Sequence, residues 1–280
     1  MMKKIMTAVL ILVLLWMGVS FFGGIFTRKG GEAAGKVITG HRGGASLGPE
    51  NSLGCIAAGL DSGASSIEID VHITSDGEIV VCHDPTVDRT TDGKGAINDM
   101  TLEEVRSLRI LDKEGNPTDQ KVPTLDEVLD LIDGKVELLL EIKRTKGNNV
   151  GIEKAVMGIL NRRNALSYTV IQSFDDSVLE ALHGMDPDLR LEKLLFGKFW
   201  GIPVIFDGTF SVFTPEKYSY IRSFNFFHPA LSASLSESLH EKGYRTRIWT
   251  LDNPEGIPQM KLDGIITDCP DLFVKVDRPL

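Results

Sequence analysis

The chain is poor in cysteine, with only Cys55, Cys82 and Cys269 in 280 residues. Their spacing contains no CxxC pair, and an odd number cannot be fully paired within one chain. A disulfide scaffold and a structural zinc site are therefore not expected, and buried free thiols are the reading that remains. An excess of basic residues is missing too: 30 Lys and Arg stand against 39 Asp and Glu, for a net charge of -9. Nucleic-acid binding calls for clustered positive charge, so no nucleic-acid partner is expected. A small anionic substrate is not excluded, because only local charge matters to it. Internal repeats and low-complexity tracts are absent. What is present, 42% hydrophobic and 25% charged residues, is the composition of a globular protein.

One long apolar run stands apart. From Ile5 to Phe26 only Thr7 and Ser20 interrupt it, with Lys3 and Lys4 before it and Arg28 and Lys29 after it. A bilayer-spanning helix needs roughly 20 apolar residues, whereas the apolar core of a cleaved signal is usually about 7–15. Residues 1–29 are accordingly expected to form an uncleaved signal-anchor, making a single-pass protein with the membrane as partner. The N-terminal amine, Lys3 and Lys4 tip the orientation toward the globular part lying on the extracytoplasmic side. Cleavage, with small residues Ala33 and Ala34 downstream, would instead give a secreted form. Residues 30–36, rich in Gly and Ala, read as a flexible linker.

From Lys36 onward, short strand-like runs alternate with amphipathic helical stretches. The strand candidates are Val37–Gly40, Ile67–Val71, Val136–Ile142, Thr169–Ser173, Leu189–Leu195, Tyr220–Phe224, Tyr244–Thr250 and Gly264–Thr267. Helical patterns fall at Leu125–Ile132, opened by Thr124 as a cap, at Gly151–Asn161 and at Ser177–Leu182. Alternating β and α elements imply a parallel sheet with helical crossovers. Eight such strands suit a closed (β/α)8 TIM barrel of the α/β class over residues 37–275, a domain of roughly the usual size. After Ile79–Val81, residues 84–121 break the rhythm and read as a small insertion following the second strand region.

Charged and polar residues recur at the ends of successive strands. His41 and Arg42 follow the first; Glu68 and Asp70 stand two apart near the end of the second, which points both to one face. His83 closes the next extended run, and Glu141 and Lys143 repeat the two-residue spacing at the end of the third main strand. Parallel barrels place their active sites at this end. Three converging carboxylates would raise one another's pKa unless a cation joined them, and all-oxygen ligation suits Ca²⁺ or Mg²⁺ better than zinc. Arg42 and Lys143 suit an anionic substrate oxygen. His41 and His83 suit proton transfer near neutral pH. Singly, each side chain has a structural reading, such as a salt bridge or a solvated edge. Together they suit phosphodiester hydrolysis.

The blocks His41-Arg42-Gly43-Gly44-Ala45 and Pro49-Glu50-Asn51-Ser52 resemble the opening signature of glycerophosphodiester phosphodiesterases. Glu68-Ile69-Asp70-Val71, Asp76-Gly77 and Val80-Val81-Cys82-His83-Asp84 resemble that family's second block. Arg89-Thr90-Thr91, Val122-Pro123-Thr124-Leu125, Glu141-Ile142-Lys143, Trp249-Thr250 and Asp263-Gly264-Ile265-Ile266-Thr267-Asp268 follow in order, so the similarity runs from about Val37 to Leu272. The resemblance implies a barrel hydrolysing glycerophosphodiesters to glycerol 3-phosphate and an alcohol. It implies His41 and His83 as the general acid/base pair, Glu68, Asp70 and Glu141 as ligands of Ca²⁺ or Mg²⁺, and Arg42 and Lys143 as phosphate contacts. Glu50 matches an acidic position that orients the site or supports the metal, and Trp249 one that walls the glycerol pocket or packs in the core. One stretch departs from the commonest pattern. Leu194–Phe213 is dense in Phe196, Phe199, Trp200, Ile202, Val204, Ile205, Phe206, Phe210 and Phe213. Core packing and a lipid-facing loop both account for it, and the second would admit a lysophospholipid substrate.

Overall fold

The computed structural model describes residues 30–144, 149–198, 205–206 and 213–274, with 197–198 and 205–206 described by backbone alone. Its strands are β1 (Val37–Gly40), β2 (Ser66–Ile73), β3 (Ile79–Val81), β4 (Glu137–Ile142), β5 (Thr169–Ser173), β6 (Leu191–Leu195), β7 (Gly197–Lys198), β8 (Ile205–Phe206), β9 (Ser223–Phe227), β10 (Arg245–Trp249) and β11 (Gly264–Thr267). The helices are α1 (Leu53–Asp61), α2 (Leu102–Ser107), α3 (Leu125–Ile132), α4 (Ile152–Arg162), α5 (Asp176–Met185), α6 (Ala233–Glu241) and α7 (Pro270–Phe273). Strands β1, β2, β4, β5, β6, β9, β10 and β11 pair in parallel, and β11 returns to β1, closing the sheet. β3 adds antiparallel to β2, and β7 pairs antiparallel with β8.

Strand alternation divides the barrel wall. Ile67, Ile69 and Val71 of β2, with Leu138, Leu140 and Ile142 of β4, face outward into the main core, where Val128, Leu129 and Ile132 of α3 meet them. The opposite faces line the bore, and these are largely polar. Leu139, Val170 and Ile266 form a small apolar cluster there. Around it, Arg247 donates to Glu137 at 2.7 Å and to Glu192 at 3.1 Å. Asn225 donates to Glu192 and to Gln172, each at 2.8 Å. Gln172 in turn donates to Glu68 at 3.4 Å, so one hydrogen-bonded series runs through the bore to the site.

Local signals account for several elements. Thr124 accepts from Glu127 N while the Glu127 carboxylate accepts from Thr124 N, a capping box that starts α3 where the sequence placed it. The insertion encloses a second core of Val80, Cys82, Val87, Ile97, Val105, Ile110 and Val122. The strand expected at Tyr220–Phe224 begins three residues later, because Asn225 must face inward to reach Gln172 and Glu192 while Phe224 and Phe226 pack outward.

Two expectations are corrected. Among the described residues, no helix is long and apolar enough to cross a membrane. The longest, α4 with 11 residues, extends about 16 Å at 1.5 Å per residue, against a hydrocarbon core of roughly 30 Å. The run Ile5–Phe26 lies outside the described residues; what the described residues form is the barrel, with no transmembrane helix among them. The membrane partner and the single-pass, extracytoplasmic placement rested on that helix and are withdrawn with it. In residues 30–36, Gly30 N and Gly31 N donate to Ile257 O at 3.2 and 3.0 Å, and Ala33 packs on the main core.

Candidate active site

The loop after β1 is shaped by glycine. Gly43 and Gly44 have φ of 90° and 100°, a region L side chains rarely enter. α1 lies so close beneath that a Cβ on Gly59 would stand 2.1 Å from Gly43 O. Within this loop Arg42 takes φ 51° and aims its N–H at Glu68 Oε2, 2.8 Å away. Side chains from this loop and from the ends of β2, β3 and β4 meet at the C-terminal end of the barrel.

Glu68, Asp70 and Glu141 lie there, buried, each offering an oxygen within 4.8 Å of the others. Burial and the neighbouring Asp70 charge push Glu68 up to about 8. Burial likewise lifts Glu141 to about 7, with Lys143 opposing and Asp70 adding to the rise. Asp70 is buried as well, but Lys143, His83 and Arg42 hold it below the usual carboxylate range. Lys143 Nζ sits 2.9 Å from Asp70 Oδ1 and 2.8 Å from Glu141 Oε1. Although burial works against its charge, Asp70 and Glu141 keep the ammonium above its ordinary value. Three clustered hard oxygen donors, two of them unfavourable as bare anions, fit a divalent cation.

The two histidines are held alike. His41 Nδ1 stands 2.7 Å from Asp268 Oδ1, and His83 Nδ1 stands 2.7 Å from Asp84 Oδ1. A carboxylate can only accept, so each Nδ1 carries the proton and each Nε2 is left for other work. Their surroundings differ. Burial disfavours the charged form of both, yet at His41 the Asp268 hydrogen bond and the Glu68 charge outweigh it and raise the pKa. At His83 burial prevails and lowers it, despite the Asp70 charge.

His41, Arg42, Glu68, His83, Glu141, Lys143 and Trp249 all line one cavity of about 480 Å³. Asp70 is not among the lining residues and meets the cavity through Lys143. Glu50 is placed apart from the carboxylate trio: it accepts from Arg42 Nη1 at 2.9 Å and pairs with Arg89. Trp249 donates its Nε1–H to Asn225 O at 2.9 Å and turns a face to the cavity beside Phe174 and Phe196. Phe174 and Phe196 stack with centroids 4.4 Å apart, and Phe196 is 45% exposed. Phe213, from the other end of the same aromatic stretch, packs on Phe224 and Phe226 in the core. Residues 199–204 and 207–212 of that stretch lie outside the described residues.

Sequence reasoning passed over several members. His72 lies in the cavity wall, its Nε2 donating to His83 O at 3.2 Å and its Nδ1 accepting from Asn149 at 2.8 Å. The signal was present, since His72 continues the spacing of Glu68 and Asp70. Asn51 donates to Asp70 Oδ2 at 2.8 Å, and Asn149 also bonds Lys143 O at 2.6 Å. Asp268 and Arg89 stood within recognised motifs, but their partners are distant in sequence.

The profile of the glycerophosphoryl diester phosphodiesterase family matches residues 41–272. A glycerophosphodiester phosphodiesterase from Caldanaerobacter subterraneus is 32% identical over 247 residues, covering 86% of this chain and 98% of its own. A glycerophosphoryl diester phosphodiesterase structure from Parabacteroides distasonis superposes with TM-score 0.65 at 26% identity, covering 91% of this chain and 90% of that one. A phosphodiesterase from Oleispira antarctica, in complex with the product sn-glycerol-3-phosphate, shares the fold with TM-score 0.71 at 22% identity over 84% of this chain and 94% of that one.

Proposed function

The chain belongs to the glycerophosphoryl diester phosphodiesterase family and hydrolyses glycerophosphodiesters, and on that premise we propose how its own residues carry the reaction. The observation that supports the reading best is the pairing of two imidazoles, each with Nδ1 on a carboxylate, across one cavity from a buried carboxylate trio.

In this reading Glu68, Asp70 and Glu141 hold Ca²⁺ or Mg²⁺, the hard cations that all-oxygen donors favour. Bound there, the cation would polarise the phosphoryl group and offset developing negative charge. Arg42 and Lys143 bind the phosphoryl oxygens. Arg42 is aimed by Glu50, and Lys143 exchanges part of its pairing with Asp70 and Glu141 for the substrate anion. His83, whose pKa burial lowers, takes the proton from the attacking water as its oxygen bonds to phosphorus; His41, whose pKa Asp268 and Glu68 raise, gives one to the leaving alcohol. The bond to the alcohol breaks and glycerol 3-phosphate remains. Trp249 walls the glycerol carbons, with Phe174 beside it.

Leaving-group dependence tests the assignment. A general acid matters little when the departing alcohol is already a weak base. His41→Ala should lose on the order of a hundredfold or more on an alkyl diester yet keep most activity on a nitrophenyl diester. His83→Ala should fail on both. The reverse pattern would exchange the two roles, and near-wild-type rates in both variants would remove the mechanism.

A second substrate reading rests on one feature. Phe196, half exposed and stacked on Phe174 at the cavity edge, supplies an apolar surface suited to a lysophospholipid chain. Turnover of lysophosphatidylcholine beside glycerophosphocholine separates the two; negligible activity on the soluble diester favours the lipid.

A further inference from the structure

Arg89 belongs to the insertion and is not among the residues lining the cavity. Its guanidinium forks twice. Nη1 and Nη2 donate to Glu50 Oε2 and Oε1 at 2.8 and 2.7 Å. Nε and Nη2 donate to Asp84 Oδ2 and Oδ1 at 2.7 and 3.2 Å. Those carboxylates each hold a group that lines the cavity: Glu50 Oε1 accepts from Arg42 Nη1 at 2.9 Å, and Asp84 Oδ1 from His83 Nδ1 at 2.7 Å. The series Arg42–Glu50–Arg89–Asp84–His83 thus joins the loop after β1 to the segment after β3 around one planar cation.

A single exposed ion pair contributes little, because water screens it and two long side chains must be fixed. Arg89 is 47% exposed, but its partners are not: the Glu50 and Asp84 side chains are 19% and 27% exposed. Two bidentate contacts at once also restrict direction, which a point charge does not. The carboxylates are therefore fixed in plane, and with them the guanidinium of Arg42 and the imidazole of His83.

We propose that Arg89 is a positioning residue of this active site, setting Arg42 through Glu50 and His83 through Asp84. It rests on the roles given to Arg42 and His83 above. Through it the insertion contributes to both phosphate binding and proton transfer without touching substrate.

The test uses the full chain with its divalent cation and glycerophosphocholine as probe. Two halves are separable: Glu50→Gln should act mainly on KM and Asp84→Asn mainly on kcat. Arg89→Ala should do both, raising KM several-fold and lowering kcat on the order of tenfold to a hundredfold, the scale of about an ångström of misplacement. Arg89→Lys keeps the charge but cannot make both forks, so it should recover little. Adding Arg89→Ala to Asp84→Asn should cost less in kcat than either loss multiplied by the other. The proposal is overturned if Arg89→Ala changes KM and kcat less than twofold, if Arg89→Lys restores wild-type kinetics, or if the double variant is multiplicative. His83→Ala, run beside these, keeps the two ideas apart. An active His83→Ala defeats the assigned roles, whereas an inactive one with an unimpaired Arg89→Ala defeats the brace alone.

Discussion

Asp268 Oδ1 accepts from His41 Nδ1 at 2.7 Å across 227 positions of sequence, joining the loop that follows β1 to the residue that follows β11. The two strands are neighbours because the barrel closes, so this contact exists only in the closed sheet. Asp268→Asn should lower kcat about a hundredfold, as loss of an imidazole's orienting carboxylate does elsewhere to a larger degree, while KM moves less than about twofold. Steady-state kinetics on a soluble diester check both values; a change confined to KM would assign Asp268 to binding instead.

Removal of the cation should abolish turnover and also loosen the fold. Glu68 and Glu141 are pushed upward by burial and by Asp70, so Lys143 alone leaves the trio undercompensated. A chelator should stop hydrolysis, and Mg²⁺ or Ca²⁺ should restore it. The unfolding temperature should rise with added ion, which stabilises the fold by about 2.7 kcal/mol at a hundredfold excess over Kd. A thermal scan unchanged by either ion counts against ligation by these carboxylates.

Deep in the bore, Arg247 is 5% exposed and Glu192 fully buried. Truncating one member of a buried pair leaves the other charge without compensation. Arg247→Ala should therefore cost about 3–5 kcal/mol, read from urea unfolding at neutral pH. A loss below about 1 kcal/mol would mean that Glu192 finds another partner.

The capping box of α3 gives a pH signature away from the site. Burial works against the Glu127 charge, but the Thr124 N–H and Arg106 outweigh it and hold the folded pKa below the ordinary value of 4.5. A depressed folded pKa stabilises fully above the unfolded value and loses that stabilisation as pH falls through the folded one. Glu127→Gln keeps a capping oxygen without the charge. Wild type should be the more stable at pH 7, with the difference in urea midpoint shrinking below about pH 4. A difference that widened on acidification would contradict the sign.

Much of this architecture was legible in residue order. Thr124 and Glu127 announced the start of α3, and Glu68, Asp70 and Glu141 disclosed their shared end of the barrel through two-residue spacing. His72 carried the same spacing and was passed over, because an imidazole flanked by Val71 and Ile73 also reads as core. Asn225 illustrates the harder case. Tyr220–Phe227 mixes apolar side chains with Arg222, Ser223 and Asn225, and the start of the strand cannot be read from it. The facing is fixed by Gln172 and Glu192, which lie on other strands. Arg89 and Asp268 were visible as motif members, but their work depends on contacts 39 and 227 positions away. The apolar run at Ile5–Phe26 shows the opposite limit, since a local pattern alone carried the membrane expectation.

A bore filled with Glu137, Glu192, Asn225, Gln172 and Arg247 also bears on how this barrel can change over evolutionary time. Aliphatic cores accept swaps that keep volume, often losing under about 1.5 kcal/mol, and the outer shell around Ile69, Leu140 and Val128 should drift in that way. Hydrogen-bonded charges admit no such equivalents, so one replacement in the bore strands its neighbour and reaches Glu68 through Gln172. Variation should therefore collect outside the β-wall, and the inner face should change only by paired substitutions.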